Sequence, residues 1–141
     1  MNTRQIELVK ESWLSVAAID PVTVGGLFYN RLFELDPQLR PMFRAPIPEQ
    51  SKKLLTMLHY VIKKLDTLDE IIDEVRKLAQ RHVHYGTKPE HYNVVGSALI
   101  WTLEQGLGDA WTDELQEAWI AVYTVLAGAM IEASNYSKAA A

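Results

Sequence analysis

The feature that most constrains this chain is a helical stripe in which a histidine completes an apolar face. Ile71, Val75, Leu78 and His82 recur at spacings of four, three and four, which places them on one side of a helix. Apolar helix faces are normally buried, and a buried neutral imidazole must find a hydrogen-bond partner or a metal. A satisfied core histidine is the commoner outcome, so the stripe alone leaves both alternatives open.

Helix-start signals divide the rest of the chain into further helical segments. Thr3 is the expected N-cap of the first helix, Asp20-Pro21 opens a second, and Thr112 precedes the last. No segment shows the two-residue alternation of a half-buried strand, so the sequence predicts an all-α fold. Long helices are also expected at about 49–65 and about 90–107.

Proline and glycine mark the positions where these helices are interrupted or crowded. Two prolines in Ala45–Pro48 are expected to resist regular structure. Gly25-Gly26 lies inside the second helix, where glycine is unfavourable, so we expect another backbone to approach closely there. The whole is interpreted as one domain over residues 1–136, with a frayed tail at 137–141.

Composition excludes several classes of function. The formal net charge is −4 and no dense cluster of Lys or Arg occurs, so neither a nucleic acid nor an anionic membrane is expected as a partner. The absence of cysteine excludes disulfides, thiolate metal ligands and a cysteine nucleophile. No secretory core or membrane-spanning run is present in the sequence, which favours the cytoplasm.

The sequence contains no motif that indicates an active site made of protein side chains alone. Neither a phosphate-binding loop nor a dinucleotide glycine motif is present. His82 and His84 are two residues apart, about 200° around a helix, and therefore cannot share one metal. His59 lies about 180° around its helix from Gln50, so these two side chains point in opposite directions.

Several stretches of the chain, in their order and separations, match a known family. The chain resembles the globins, and within them the bacterial single-domain globins related to the haem domain of flavohaemoglobins. The resemblance implies a globin fold of seven to eight helices that sandwich haem b, iron protoporphyrin IX. The matching stretches are residues 27–33, 36–43, 50–54, 81–82, 91–96 and 118–119, with Tyr123.

The same resemblance implies a role for individual residues. His82 corresponds to the proximal ligand of the haem iron, and Tyr29, Gln50 and Leu54 correspond to the distal residues that face the bound gas. Without the resemblance, an ordinary core role is equally well supported for Phe43 and is the favoured interpretation for Tyr29. The residues implied to contact the haem itself are Phe43, Lys53, Leu54, Leu78, Arg81, Tyr92 and Val95, of which Lys53 and Arg81 would pair with propionates or simply remain solvated.

The implied function is reversible binding of O₂, with CO and NO as further ligands. A tyrosine hydroxyl and a glutamine amide are donors, and they stabilise O₂, which gains negative charge on ferrous haem, more than neutral CO. Nitric oxide dioxygenase activity with an external reductase is the alternative, and a sensor or a haem-free helical domain are further ones. Five-coordinate resting iron and six-coordinate iron ligated by Tyr29 or Gln50 are both compatible with the resemblance, and a monomer or a weak homodimer is expected.

One position departs from the flavohaemoglobin pattern. In those proteins a glutamate on the last helix acts with a tyrosine to polarise the proximal histidine. Tyr92 matches the tyrosine, whereas Ser134 stands at the glutamate position. Strong polarisation of His82 is therefore not expected.

Overall fold

Every regular element in the structure, a computed structural model, is helical, as the sequence predicted. It describes residues 1–84, 88 and 90–140, apart from the side chains of 83, 84 and 134–140, and these residues include no strand. No helix in this part of the chain combines the length and apolar character needed to cross a bilayer. The α-helices are α1 Thr3–Ala17, α2 Pro21–Leu35, α3 Ile47–Lys63, α4 Ile72–His84, α5 His91–Leu107 and α6 Asp113–Ala140, and the 3-10 helices are Pro37–Met42, Leu65–Ile71 and Gly108–Ala110.

Two helix starts differ from the prediction. The N-cap of α1 is Asn2 and not Thr3, because the Asn2 side chain accepts from the backbone N–H of Gln5 at 2.8 Å while the Gln5 side chain accepts from the backbone N–H of Asn2 at 3.0 Å. Helix α3 begins at Ile47, inside the predicted break. Pro48 is compatible with this start because first-turn N–H groups have no partner within the helix.

The far end of the chain follows its predicted course. The Thr112 hydroxyl accepts a hydrogen bond from the backbone N–H of Leu115 at 3.1 Å, so the expected start of α6 is confirmed. The backbone of α6 is helical to Ala140. Fraying of residues 137–141 stays a prediction.

Two buried tryptophans join the first and last helices. The ring centroids of Trp13 on α1 and Trp119 on α6 lie 6.3 Å apart, with the planes tilted by 57°. The Trp13 indole N–H donates to Nδ1 of His59 on α3 at 3.2 Å, and the Trp119 indole N–H donates to the Ser12 hydroxyl at 2.9 Å. Both buried donors are therefore satisfied, and His59 is engaged with α1.

Helices α2 and α3 cross closely at Gly25. A Cβ added to Gly25 would lie 2.1 Å from both Cβ and Oγ of Ser51, so only glycine fits this crossing. Ser51 is itself fixed, because its hydroxyl donates to the carbonyl of Ile47 at 2.7 Å. The predicted close approach is thus confirmed for Gly25 and wrong for Gly26, whose added Cβ would meet no atom within 4 Å.

Candidate functional site

The α2–α3 crossing brings Tyr29 beside Gln50. Tyr29 lies one helical turn after Gly25, and Gln50 immediately precedes Ser51, so the glycine contact places both side chains at the same level of the helix pair. Tyr29 is 2% exposed. Burial raises the pKa of its hydroxyl to about 12, against the lowering effect of a hydrogen bond with the Gln50 side chain. The hydroxyl is therefore protonated at neutral pH and can donate.

Three phenylalanine rings pack around the ring of Tyr29. Its ring centroid lies 4.9 Å from that of Phe28 and 5.2 Å from that of Phe43, both in edge-on arrangements, and 6.1 Å from that of Phe33. Phe33 and Phe43 also contact each other, with centroids 5.6 Å apart. The guanidinium of Arg40 covers Phe33 at 5.0 Å from the ring centroid. This packing restricts the position of the Tyr29 ring.

His82 is oriented by its own helix. Its Nδ1 lies 2.8 Å from the carbonyl oxygen of Leu78, one turn earlier on α4. A carbonyl oxygen only accepts, so a neutral ring carries its proton on Nδ1 and its lone pair on Nε2. Burial lowers the pKa of His82, the Leu78 hydrogen bond opposes this effect, and the nearby Arg81 charge lowers the pKa further. The ring is thus held in the neutral form that ligates metals.

The other residues implied by the resemblance differ in their exposure. Leu54 and Val95 are half-buried and pack against the hydrophobic core. Leu78 is half-buried on α4, beside His82 in the stripe. Lys53 and Arg81 are exposed, and neither forms an ion pair with any residue that the structure describes.

Tyr92 is anchored by a residue whose role the sequence did not reveal. The Tyr123 hydroxyl on α6 donates to the Tyr92 carbonyl at 2.6 Å, and burial, with a smaller effect from Tyr92, raises the pKa of Tyr123. The Tyr123 ring lies against Gly96, where an added Cβ would be 2.7 Å from a ring carbon. The sequence feature that could have indicated this contact is Gly96, a glycine one helical turn after Tyr92. All three residues also line an open cleft of about 460 Å³ between α5 and α6.

The types of these residues suit a metal carried in a flat, apolar macrocycle. Such a group brings its own nitrogen ligands, so the protein must supply one neutral imidazole, apolar contacts and an aromatic wall. His82, Leu54 and Phe43 are of these types. In the described part of the chain no group of three or more His, Cys, Asp or Glu side chains could hold a metal ion. The side chain of Ser134 lies outside the described residues.

Comparisons with known proteins identify the family. The Globin family model matches residues 26–130. Flavohemoprotein from Bacillus subtilis is 32% identical over 99% of this chain, and the chain spans 36% of that protein's length. A bacterial globin structure from Campylobacter jejuni has a TM-score of 0.84 at 25% identity, covering 97% of this chain and 99% of its own.

A second solved structure shows the likeness of fold at lower identity. It is an engineered carbene transferase from Rhodothermus marinus, described as a candidate nitric oxide dioxygenase. The TM-score is 0.87 at 24% identity, with 99% of this chain and 97% of the other covered. The backbone of this chain therefore follows that of solved globin structures over nearly its full length.

Proposed function

The chain belongs to the globin family, and on this premise we propose that it binds haem and reversibly binds O₂, with CO and NO as further ligands. The observation that carries the proposal is the orientation of His82. Its Nδ1 lies 2.8 Å from the Leu78 carbonyl, which directs the lone pair to Nε2. A helix that fixes this tautomer in a half-buried, neutral ring presents the ligand that haem iron requires.

Haem b would be held by residues from α3, α4 and α5 and by Phe43, which directly follows the first 3-10 helix. His82 would bind the iron, and the side chains of Phe43, Leu54, Leu78 and Val95 would provide apolar contact with the macrocycle. When bound, haem supplies an iron that takes up a diatomic ligand. The remaining proposed contacts are Lys53 and Arg81 at the propionates and Tyr92 on α5.

The distal residues would select among ligands. The Tyr29 hydroxyl stays protonated because burial raises its pKa to about 12, and Gln50 contributes an amide close to it. Donors that are already oriented stabilise a ligand that gains negative charge and do little for a neutral one. We therefore expect tight binding of O₂ and a smaller effect of these residues on CO.

The visible spectrum of the purified protein tests this function directly. Ferric protein, dithionite-reduced protein, and reduced protein exposed to O₂ or CO would be compared. A strong Soret band that shifts with each ligand is expected, and the ferric spectrum would distinguish five-coordinate from six-coordinate iron. A colourless protein that takes up no added haemin would contradict the proposal.

Nitric oxide dioxygenase activity is a second candidate. It is favoured by the likeness to Flavohemoprotein, whose name joins a flavin, an electron carrier, to a haem. An external reductase is the proposed source of the electrons for this activity. The rate at which the reduced, oxygenated protein converts NO to nitrate measures this activity. A rate no faster than that of free haem would contradict this second candidate function.

A further inference from the structure

Positive charge is concentrated in one part of this acidic chain. The formal net charge is −4, yet residues 37–64 carry six basic residues and a single acidic one, Glu49. This segment contains the first 3-10 helix, the connection after it and almost all of α3. The six basic residues are Arg40, Arg44, Lys52, Lys53, Lys63 and Lys64.

Four of these residues share the outer face of α3. At 100° per residue, Lys52 and Lys63 lie about 20° apart around the helix, and so do Lys53 and Lys64. Lys52, Lys53 and Lys63 are exposed and Lys64 is half-buried, whereas Val61, about 180° around the helix from Lys52, is buried. We call these four lysines, with the exposed Arg44 just before the helix, the α3 basic face.

The α3 basic face keeps an excess of positive charge, although the exposed Glu49 lies on the same side of α3, three and four residues before Lys52 and Lys53. Elsewhere Arg4 pairs with Glu114, Lys10 with Asp66, Arg31 with Glu34, and Arg76 with Asp73. No residue of the α3 basic face forms such a pair with a carboxylate in the described part of the chain. A patch with an excess of charge of one sign attracts a partner of the opposite sign and steers its approach.

In the sequence, two residues of the α3 basic face directly neighbour proposed haem-contacting residues. Lys53 adjoins Leu54, and Arg44 adjoins Phe43. We propose that the α3 basic face docks an acidic one-electron donor protein that reduces the haem iron, an inference that rests on the proposed function. One electron would pass from the reduced donor cofactor to ferric iron, giving ferrous iron and a one-electron-oxidised donor, and no atom would be transferred.

The distribution of the lysines favours a protein over a nucleic acid or a membrane. The two lysine pairs are separated along α3 by 11 residues, about 16 Å of helix. Between them, the exposed face carries uncharged Thr56 and Tyr60. Such spaced charges can match individual carboxylates, whereas phosphate backbones and anionic bilayers favour dense clusters of basic residues.

Flavodoxin, an acidic flavin protein, is a suitable probe. Binding of oxidised flavodoxin to the haem-loaded protein would be measured by calorimetry, and reduction of the ferric protein by flavodoxin hydroquinone would be followed by stopped-flow absorbance. The test variant is Lys52→Glu/Lys63→Glu, and the control is Arg4→Glu/Lys77→Glu, which changes the net charge equally at exposed positions. Lys52→Gln/Lys63→Gln serves if the charge reversal disturbs folding.

We expect the test variant to bind flavodoxin about tenfold more weakly and to be reduced correspondingly more slowly at low ionic strength. The control should change by less than about twofold, and salt should remove the difference because exposed charges are screened within about 3 Å at 1 M. Equal weakening in both variants, or no binding to flavodoxin, would overturn the inference. Binding to phosphatidylglycerol vesicles or to an oligonucleotide that is tighter than binding to flavodoxin would also overturn the inference. Failure of the protein to take up haemin would instead refute the proposed function.

Discussion

The distal and proximal sides of the candidate site are built by different kinds of contact. On the distal side, Tyr29 and Gln50 come from separate helices and meet only because Gly25 lets α2 and α3 approach to the point where no Cβ fits. On the proximal side, His82 is oriented by the carbonyl of Leu78, one turn earlier on the same helix. The distal geometry is therefore tertiary and the proximal geometry is local.

This difference predicts how sensitive each side of the site is to changes in helix packing. A contact within one helix forms whenever the helix forms, so the hydrogen bond from His82 to the Leu78 carbonyl requires no neighbouring helix. A contact across a helix crossing depends on packing that interiors maintain at high density, and small changes of volume are felt there. Ligand selectivity should therefore be more sensitive to distant packing changes than haem attachment is.

The largest expected effect comes from removing the local element. His82→Ala should abolish stable haem incorporation while most helix content remains, because the side chain supplies the proposed iron ligand. Haem content by absorbance and helix content by circular dichroism measure the two sides of this expectation. His59→Ala is the control, since His59 is exposed and bonds to Trp13. Unchanged haem retention in His82→Ala would remove the proximal assignment.

Breaking the tertiary element has the next largest effect. Gly25→Ala should lower the free energy of unfolding by about 1–3 kcal/mol, because the new methyl overlaps Ser51 and the two helices must separate. Gly26→Ala is the matched control and should be neutral or stabilising by up to about 1 kcal/mol, since its added Cβ meets nothing within 4 Å. Denaturant unfolding of both variants measures the difference, and equal values would show that the crossing is not tight.

Removing a single distal atom sharpens the comparison. Tyr29→Phe should speed O₂ release about tenfold, equivalent to roughly 1–2 kcal/mol, because one donor is lost while the ring stays in its aromatic setting. CO release serves as the internal control and should change less, since CO gains little negative charge. Stopped-flow ligand replacement gives both rates. An O₂ release rate that matches the unmodified protein would mean that the hydroxyl does not face the ligand.

The smallest effect is expected at an exposed ion pair remote from this comparison. The Lys10 ammonium lowers the pKa of the Asp66 carboxyl. Because the folded pKa lies below the unfolded one, the stabilising contribution is present at neutral pH and is lost as the pH falls through the folded pKa. Lys10→Gln should slightly reduce the acid dependence of unfolding, and Lys77→Gln should not. A change in the free energy of unfolding larger than that caused by Gly25→Ala would contradict this order of effects.

Patterns repeated within a helix made much of this architecture predictable. Val75, Leu78 and His82 share one face of α4 as predicted, whereas Ile71 ends the preceding 3-10 helix; Ile71 and Val75 are buried. The hydrogen bond that orients His82 links residues four apart, within the spacing that a helical pattern reports. Gly25 was predictable as a point of close approach because glycine is unfavourable in a helix without such a compensation.

Contacts between residues distant in sequence were not predictable in the same way. The Tyr123 hydroxyl reaches a carbonyl 31 positions earlier, and Trp13 donates to a histidine 46 positions later. Neither partner shares a helix with its donor, so no periodicity relates them. The start of α1 was missed by one residue because Asn2 and Thr3 are both good caps, and only the reciprocal bond with Gln5 distinguishes them.

The paired tryptophans at the α1–α6 contact also give this protein an intrinsic optical reporter. Two indole rings with centroids 6.3 Å apart and planes inclined by 57° have transition dipoles close enough to couple. Their near-ultraviolet circular dichroism therefore depends on the packing of the first helix against the last. A variant that has lost its colour can still be examined for an intact interior through this signal, separately from backbone helicity.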